Sequence, residues 1–180
     1  MTPPPQSPAG EPGQYAIAEL HALCHHEVRS LLAEFLPLIE ASEIAIWVKD
    51  PQADQLVALL DTLGPNGPVE LKITQPLATG IVSKVYREQT AFLDEGLWRS
   101  KAQSPLVDKA LGQSTQYQLC VPFYFTGQLI GVMSAVQLSD SFHQAPARWG
   151  FNKKDLAILK VAAQAAALGM ERALLAQKLG

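Results

Sequence analysis

Residues 117–137, YQLCVPFYFTGQLIGVMSAVQ, give the clearest indication of the fold, because they contain two apolar runs joined by a two-residue turn. Residues 117–125 and 128–137 are rich in β-branched and aromatic side chains, which favour strands. Thr126-Gly127 between them is short enough to force the two runs back against each other. The stretch therefore predicts an antiparallel β-hairpin.

Shorter strands are predicted on the amino-terminal side of this hairpin. Residues 43–49 form a β-branched and aromatic run, and residues 69–73 alternate between apolar and polar side chains. Residues 55–63 are predicted as a strand, although a leucine-rich run of this length also fits a helix. A Gly-Pro-rich loop is predicted at 64–68, and a short strand at 90–93.

A long helix is predicted before the strands, over residues 14–41, because its apolar side chains recur with a helical period. Pro37 is expected to kink or split this helix near Phe35, since proline removes a backbone donor and clashes with the preceding turn. The apolar stripe of this helix includes Leu20, Cys24 and Leu31.

A second long helix is predicted from Asn152 to the end of the chain, and shorter helices are predicted at 78–89 and 105–111. The last helix is rich in small residues that allow another helix to approach closely, including Ala162, Ala166 and Gly169. This order of elements predicts an α+β fold. We expect one mostly antiparallel sheet with the long terminal helices on one face and the short crossover helices on the other.

The bulk composition limits the class of protein. A chain of 180 residues predicts a single domain, which we place at 14–180, and the five prolines within 1–13 predict a disordered, flexible tail. The net charge of −3 argues against a nucleic-acid partner. The chain contains no apolar run long enough for a membrane span and no signal-peptide pattern. With two cysteines and no paired spacing, the sequence favours a cytoplasmic location.

Four stretches of the chain, in order, resemble the GAF domain family of small-molecule sensors. They are residues 43–48, residues 79–94, residues 119–133 of the hairpin, and residues 151–155 with the alanine-rich helix beyond. The resemblance spans roughly 14–175 and implies the GAF fold, a relative of the PAS fold. It does not imply one ligand, because one fold hosts many functions. Known GAF ligands include cyclic nucleotides, bilins, haem and nitrate.

The residues match the known chemistries of that family poorly. Covalent bilin attachment is not expected, because residues 106–118 lack the cysteine that this chemistry needs and Cys120 lies within an apolar strand. Reduction of free methionine sulfoxide is not expected either, because the loop cysteines of those enzymes are absent. His21 and His25 lie one helical turn apart, but they sit at the edge of the stripe without a third ligand, so haem or metal binding is not expected.

The cyclic-nucleotide signature of the family is only partly present. Gln137-Leu138 replaces its Asn-Lys pair, Leu156 replaces its Glu, and Phe151 and Asp155 are retained. Helix initiation alone explains the retained residues, because Asn152 and Asp155 have the spacing of a capping box.

We therefore expect a non-enzymatic regulatory GAF domain that binds an unidentified small molecule. Its pocket is predicted between the sheet and residues 81–111, lined by Phe92, Trp98, Val107, Tyr117 and Leu119. The terminal helices are predicted to pair with those of a second copy through Leu20, Cys24, Leu31, Ala162, Ala166 and Gly169. Because no output domain follows in the sequence, we expect a separate signalling protein as output partner. The alternatives are a ligand-free dimerisation module and, less favoured by the residues, a cyclic-nucleotide-binding domain.

Overall fold

The computed structural model describes residues 15–24, 26–62, 73–93, 108, 114–139 and 145–179. The predicted tail at 1–13 and the predicted loop at 64–68 lie outside these residues. The predicted helix at 105–111 also lies outside them, except for Asp108.

The described part of the chain forms helices on both faces of one sheet. The helices are α1 (Ile17–Leu23), α2 (His26–Ile39), α3 (Ile81–Glu88) and α4 (Lys153–Leu179). The strands are β1 (Glu43–Lys49), β2 (Gln55–Asp61), β3 (Thr74–Pro76), β4 (Phe92–Leu93), β5 (Thr115–Phe125) and β6 (Gln128–Leu138). Their order across the sheet is β3-β2-β1-β6-β5-β4, and every neighbouring pair is antiparallel.

The predicted hairpin is confirmed as β5 and β6, with Val121 opposite Met133. Its turn places Thr126 at φ 49° and Gly127 at φ 78°. Two successive positive φ values are the geometry of a type I′ turn, whose twist matches that of the two strands. The hairpin lies inside the sheet, since β1 pairs with β6 and β4 pairs with β5.

Strand alternation separates the core into two clusters, as β1 shows. Ile44, Ile46 and Val48 belong to the cluster that contains the buried residues of α1, α2 and α4. Ala45 and Trp47 belong to the cluster that contains the buried residues of α3. Because successive strand residues point to opposite faces, helices α1, α2 and α4 cover one face and α3 covers the other. The predicted α+β fold is therefore confirmed.

The amino-terminal helix breaks at a different point from the one predicted. The chain leaves the helix at Cys24, whose backbone N–H donates to the carbonyls of Leu20 and His21. Helix α2 then runs through Phe35 and Pro37 to Ile39. The predicted break near Phe35 is wrong, because Pro37 lies in the last turn of α2, where it removes only one of the final helical hydrogen bonds.

The edge of the sheet formed by β3 also differs from the prediction. The strand comprises Thr74–Pro76 and pairs with Gln55–Val57, whereas the alternating pattern had predicted residues 69–73. Residues 69–72 lie outside the described chain. Pro76 is compatible with this position because an edge strand has one side without a ladder partner.

Among the described residues, no helix combines the length and the apolar character that crossing a membrane requires.

Candidate functional site

The described residues of the predicted pocket, Phe92, Tyr117 and Leu119, lie on two different faces of the sheet. Phe92 of β4 is opposite Cys120 and packs with the cluster on the α3 face. Leu119 is fully buried in the cluster on the opposite face, and Tyr117 packs against that same cluster. Because β5 alternates its side chains, Phe92 and Leu119 cannot line one cavity, so that part of the prediction is wrong. Trp98 and Val107 lie outside the described residues.

Tyr117 instead packs near the start of α4. Its ring centroid lies 6.1 Å from that of Trp149, and an added Cβ at Gly150 would lie 3.4 Å from the Tyr117 ring. Gly150 has φ 88°, a conformation that glycine adopts without strain. Tyr117 therefore supports the turn that leads into α4.

A cavity of about 670 Å³ lies at the turn end of the hairpin, and we call it the hairpin cavity. Such a volume is in the usual range for small-molecule sites. Its lining combines aromatic rings, amides and one ammonium group: Tyr15, Tyr86, Tyr124, Gln89, Gln128 and Lys49.

The polar groups of the hairpin cavity are partly engaged with the protein. The Tyr124 hydroxyl donates to Oε1 of Gln89 at 3.4 Å, and Lys49 Nζ donates to the carbonyls of Asp50 and Ala53. Burial raises the pKa of the Tyr86 hydroxyl, so this group stays protonated and can donate to a ligand. The cavity thus offers ring faces for stacking and a few fixed polar groups for orientation.

A second cavity of about 580 Å³ runs between β5 and α4, and we call it the α4 groove. Val121, Ala163 and Ala167 line it and are buried, whereas Leu168 is 65% exposed. The small alanine side chains leave space beside the strand. No sequence signal pointed to this groove in advance, because its depth depends on where α4 packs.

A buried polar cluster joins the start of α4 to the end of α2. Nε2 of Gln137 donates to the carbonyls of Glu40 and Arg148 at 3.0 Å each, and Oε1 accepts from the N–H of Gly150 at 2.7 Å. Nη2 of Arg148 lies 2.8 Å from Oδ2 of Asp155, a carboxylate that is almost fully buried. This hydrogen bond with Asp155 raises the pKa of Arg148.

The start of α4 confirms the predicted capping box. Oδ1 of Asn152 accepts from the N–H groups of Lys154 and Asp155 at 2.7 and 3.2 Å. Oδ2 of Asp155 accepts in return from the N–H of Asn152 at 2.8 Å. Gln137 and Asp155, which occupy positions of the cyclic-nucleotide signature, are thus fully used in holding α4 against the sheet.

The sequence matches the model of the GAF domain over residues 19–170, most of the chain. The chain belongs to the GAF domain family. Its fold agrees with solved GAF structures. One is the GAF domain/HD domain protein from Geobacter sulfurreducens, with a TM-score of 0.61, 17% identity, and coverage of 89% of this chain and 99% of that chain. No curated protein matches this GAF domain in sequence.

Two further structures illustrate the range of functions on this fold. The GAF domain of a two-component sensor histidine kinase from Bacillus halodurans has a TM-score of 0.60 at 14% identity, covering 84% of this chain and 96% of that chain. The free methionine-R-sulfoxide reductase from Neisseria meningitidis, in complex with its substrate, has a TM-score of 0.58 at 15% identity, covering 89% of each chain. At these identities the likeness concerns the fold alone.

Both cysteines of this GAF domain are buried. Cys24 lies 3.5 Å from the sulfur of Met170, and burial raises its pKa to about 12. Cys120 is fully buried, and burial raises its pKa further still. A thiol in such surroundings is a poor nucleophile, because the reactive species is the thiolate.

The residues predicted to pair with a second copy are mostly covered by the chain itself. Leu20, Cys24, Ala162 and Ala166 are all buried in the core between the helices and the sheet. That part of the prediction is wrong, because the small residues of α4 turn inward, where they let the helix approach β5 and α2. Leu31 is half-buried. Gly169 is half-buried as well, and an added Cβ there would lie 3.2 Å from the Val28 side chain.

The outer side of α4 carries large aliphatic side chains instead. Val161, Leu168 and Leu175 are 54%, 65% and 59% exposed, and they follow one another at intervals of seven residues. Two helical turns cover about seven residues, so these three side chains lie on one face of the helix. We call them the α4 stripe. The interval of seven is visible in the sequence, whereas the alanine-rich pattern predicted pairing through the other face.

Proposed function

We propose that this GAF domain is a non-catalytic regulatory module that pairs with a second copy of itself through the α4 stripe and binds a small molecule. The α4 stripe is the single observation that carries self-pairing. Large aliphatic side chains repeated at heptad spacing on a helix face are the pattern by which helices associate.

The size of the stripe fits a reversible pairing. Covering a half-exposed leucine or valine contributes about 1 kcal/mol. Six such side chains in two copies contribute about 6 kcal/mol, which exceeds the lower estimates of the cost of association, about 4 kcal/mol, by a small margin, so the stripe alone supports weak pairing. We therefore expect pairing that responds to protein concentration, as suits a regulatory module.

Sedimentation velocity tests self-pairing. The sedimentation coefficient of the domain is expected to rise toward that of a dimer as the protein concentration increases, and that of Leu168→Glu is expected to stay at the monomer value, because the substitution places a charge in the stripe. Leu38→Glu is the matched control, since Leu38 on α2 is 59% exposed and lies outside the stripe. A monomeric wild-type domain, or a Leu168→Glu variant that pairs like the wild type with its circular dichroism unchanged, would contradict the proposal.

The hairpin cavity supports small-molecule binding. Its volume of about 670 Å³ and its tyrosine-rich lining fit a planar ligand that stacks on a ring and accepts a hydrogen bond. Thermal unfolding with a panel of nucleotides, amino acids, nitrate and tetrapyrroles tests it. The true ligand raises the unfolding temperature with its concentration, and Tyr86→Ala is expected to abolish that rise.

A ligand-free dimerisation module is the second candidate, and the α4 stripe favours it independently of any cavity. The same thermal panel separates the two candidates. If no compound shifts the unfolding temperature while sedimentation still shows a dimer, the pairing function stands alone.

The burial of both thiols supports the non-catalytic part of the proposal. These are the only cysteines of the chain, and reduction of a sulfoxide by this fold requires an accessible thiolate and a second thiol to resolve it. An assay with free methionine-R-sulfoxide and dithiothreitol is expected to show no turnover above the uncatalysed rate. Turnover that is lost in Cys120→Ser would overturn this part. Two unpaired thiols also suit a reducing compartment, and we propose that the domain works in the cytoplasm, in contact with a separate output protein.

A further inference from the structure

We infer that the second copy lies antiparallel to the first, with Leu168 of each copy inserted in the α4 groove of the other. The inference rests on the proposed self-pairing and adds its geometry. It follows from the groove's position beside the α4 stripe and from the charges at its two ends.

The groove and the stripe share one side chain. Leu168 lies in the stripe and also lines the groove, whose other side is formed by Pro122 and Tyr124 of β5. Beside Leu168, the alanines at 163 and 167 leave space that no side chain of their own helix fills. The surface therefore carries a protruding leucine and a recess next to it, which is the requirement for a self-complementary contact around a two-fold axis.

The α4 groove has opposite charges at its two ends. Lys160 and Glu171 both line the groove and lie eleven residues apart, or about 16 Å along the helix. Lys160 is exposed to solvent. Glu171 is half-buried, and its Oε1 accepts from the N–H of Thr126 at 2.9 Å.

These charges select the orientation of the second copy. An antiparallel copy brings Lys160 next to Glu171 of the second copy, and the two-fold axis repeats this pair at the other end. A parallel copy instead brings Glu171 next to Glu171, which is unfavourable because the charges are alike. In the antiparallel arrangement the axis passes near Ala165, midway between the two charges, and Leu168 then lies opposite Ala163 of the second copy.

Chemical cross-linking distinguishes the two orientations. A cysteine at Gln164→Cys lies close to the axis, so a short bismaleimide joins the two copies in either orientation. A cysteine at Leu175→Cys faces its equivalent only in a parallel pair. In the antiparallel pair the two positions are about 28 Å apart along the helix axis, and no cross-link is expected. The two natural thiols are buried, so the introduced thiol is the one that reacts.

Reversing the charges of Lys160 and Glu171 tests the same arrangement independently, through the dimer dissociation constant. Lys160→Glu is expected to raise the dimer dissociation constant at least about threefold, because the axis places two like-charged contacts in the interface. Adding Glu171→Lys in the same chain restores the opposite charges and is expected to return the constant toward the wild-type value. Glu34→Lys, an exposed position on α2, is the control and is expected to leave it unchanged.

Each outcome decides one of the two proposals. Cross-linking at Gln164→Cys alone, with rescue by the double charge variant, supports the antiparallel pair. Cross-linking at Leu175→Cys, or a dimer that Gln164→Cys does not cross-link, overturns the antiparallel groove contact while self-pairing stands. A wild-type domain that is monomeric by sedimentation overturns self-pairing itself.

Discussion

Replacing Gln137 with leucine tests whether the buried polar cluster holds α4 in place. The Gln137 side chain is fully buried and makes three hydrogen bonds, to the carbonyls of Glu40 and Arg148 and to the N–H of Gly150. Leucine has a similar size but forms none of them. Taking about 1 kcal/mol for each lost bond, the substitution lowers the free energy of unfolding by about 3 kcal/mol.

Urea unfolding followed by circular dichroism measures this loss. With a denaturant slope of about 2 kcal/mol per molar, the midpoint is expected to fall by about 1.5 M. Gln177→Leu makes the same chemical change at an exposed position of α4 and is expected to leave the midpoint unchanged. A Gln137→Leu midpoint within about 0.3 M of the wild type would contradict this role of Gln137, because the backbone groups would then have found other partners.

Three further predictions concern local features of the fold. Asn152→Ala removes the cap of α4 and is expected to lower the free energy of unfolding by about 1 kcal/mol, measured by the same urea titration. Gly131→Ala is expected to lower the free energy of unfolding by at least about 3 kcal/mol, since its Cβ would overlap the Trp47 carbonyl oxygen; a variant with an unchanged urea midpoint would contradict this contact. Cys24 and Cys120 are expected to resist a thiol reagent at neutral pH until urea unfolds the chain. An ordinary thiol has a pKa of 9.0 and that of Cys24 is about 12. The contribution of the buried, neutral Cys24 thiol to the free energy of unfolding is therefore fully present below pH 9 and is lost as the pH rises toward 12.

Features that depend on short stretches of sequence were predictable. The two positive φ values at Thr126 and Gly127 follow from a two-residue turn between two apolar runs, and the Asn152 cap follows from a three-residue spacing. Both depend on residues that are neighbours in the chain, so a sequence pattern contains all the information that they require.

The break in the amino-terminal helix was not predictable in this way. Pro37 is the strongest local helix breaker in the segment, yet α2 continues through it and the chain leaves the helix at Cys24. The Cys24 thiol packs against Met170 of α4, so the break coincides with a contact between residues far apart in sequence. Propensity is a weak guide where tertiary packing sets the path of the chain.

The positions of the candidate-site residues also depend on tertiary structure. Phe92 and Leu119 are both apolar and both adjacent to the β4–β5 pairing, but register places them on opposite faces of the sheet. A shift of one residue in register would have reversed those faces, and composition cannot detect it. The hairpin cavity and the α4 groove are built from segments that meet only after the chain has folded.

The GAF fold, the hairpin turn and the cap of α4 are predictable from the sequence alone, because the periodicity and spacing of side chains specify local backbone geometry. Tertiary packing, in contrast, sets which side of α4 is left exposed. The helix is apolar around much of its circumference, and its alanine face packs inward because short side chains allow the closest approach to the sheet and to α2. The larger Val161, Leu168 and Leu175 are consequently exposed, and self-pairing of the domain is proposed on that surface.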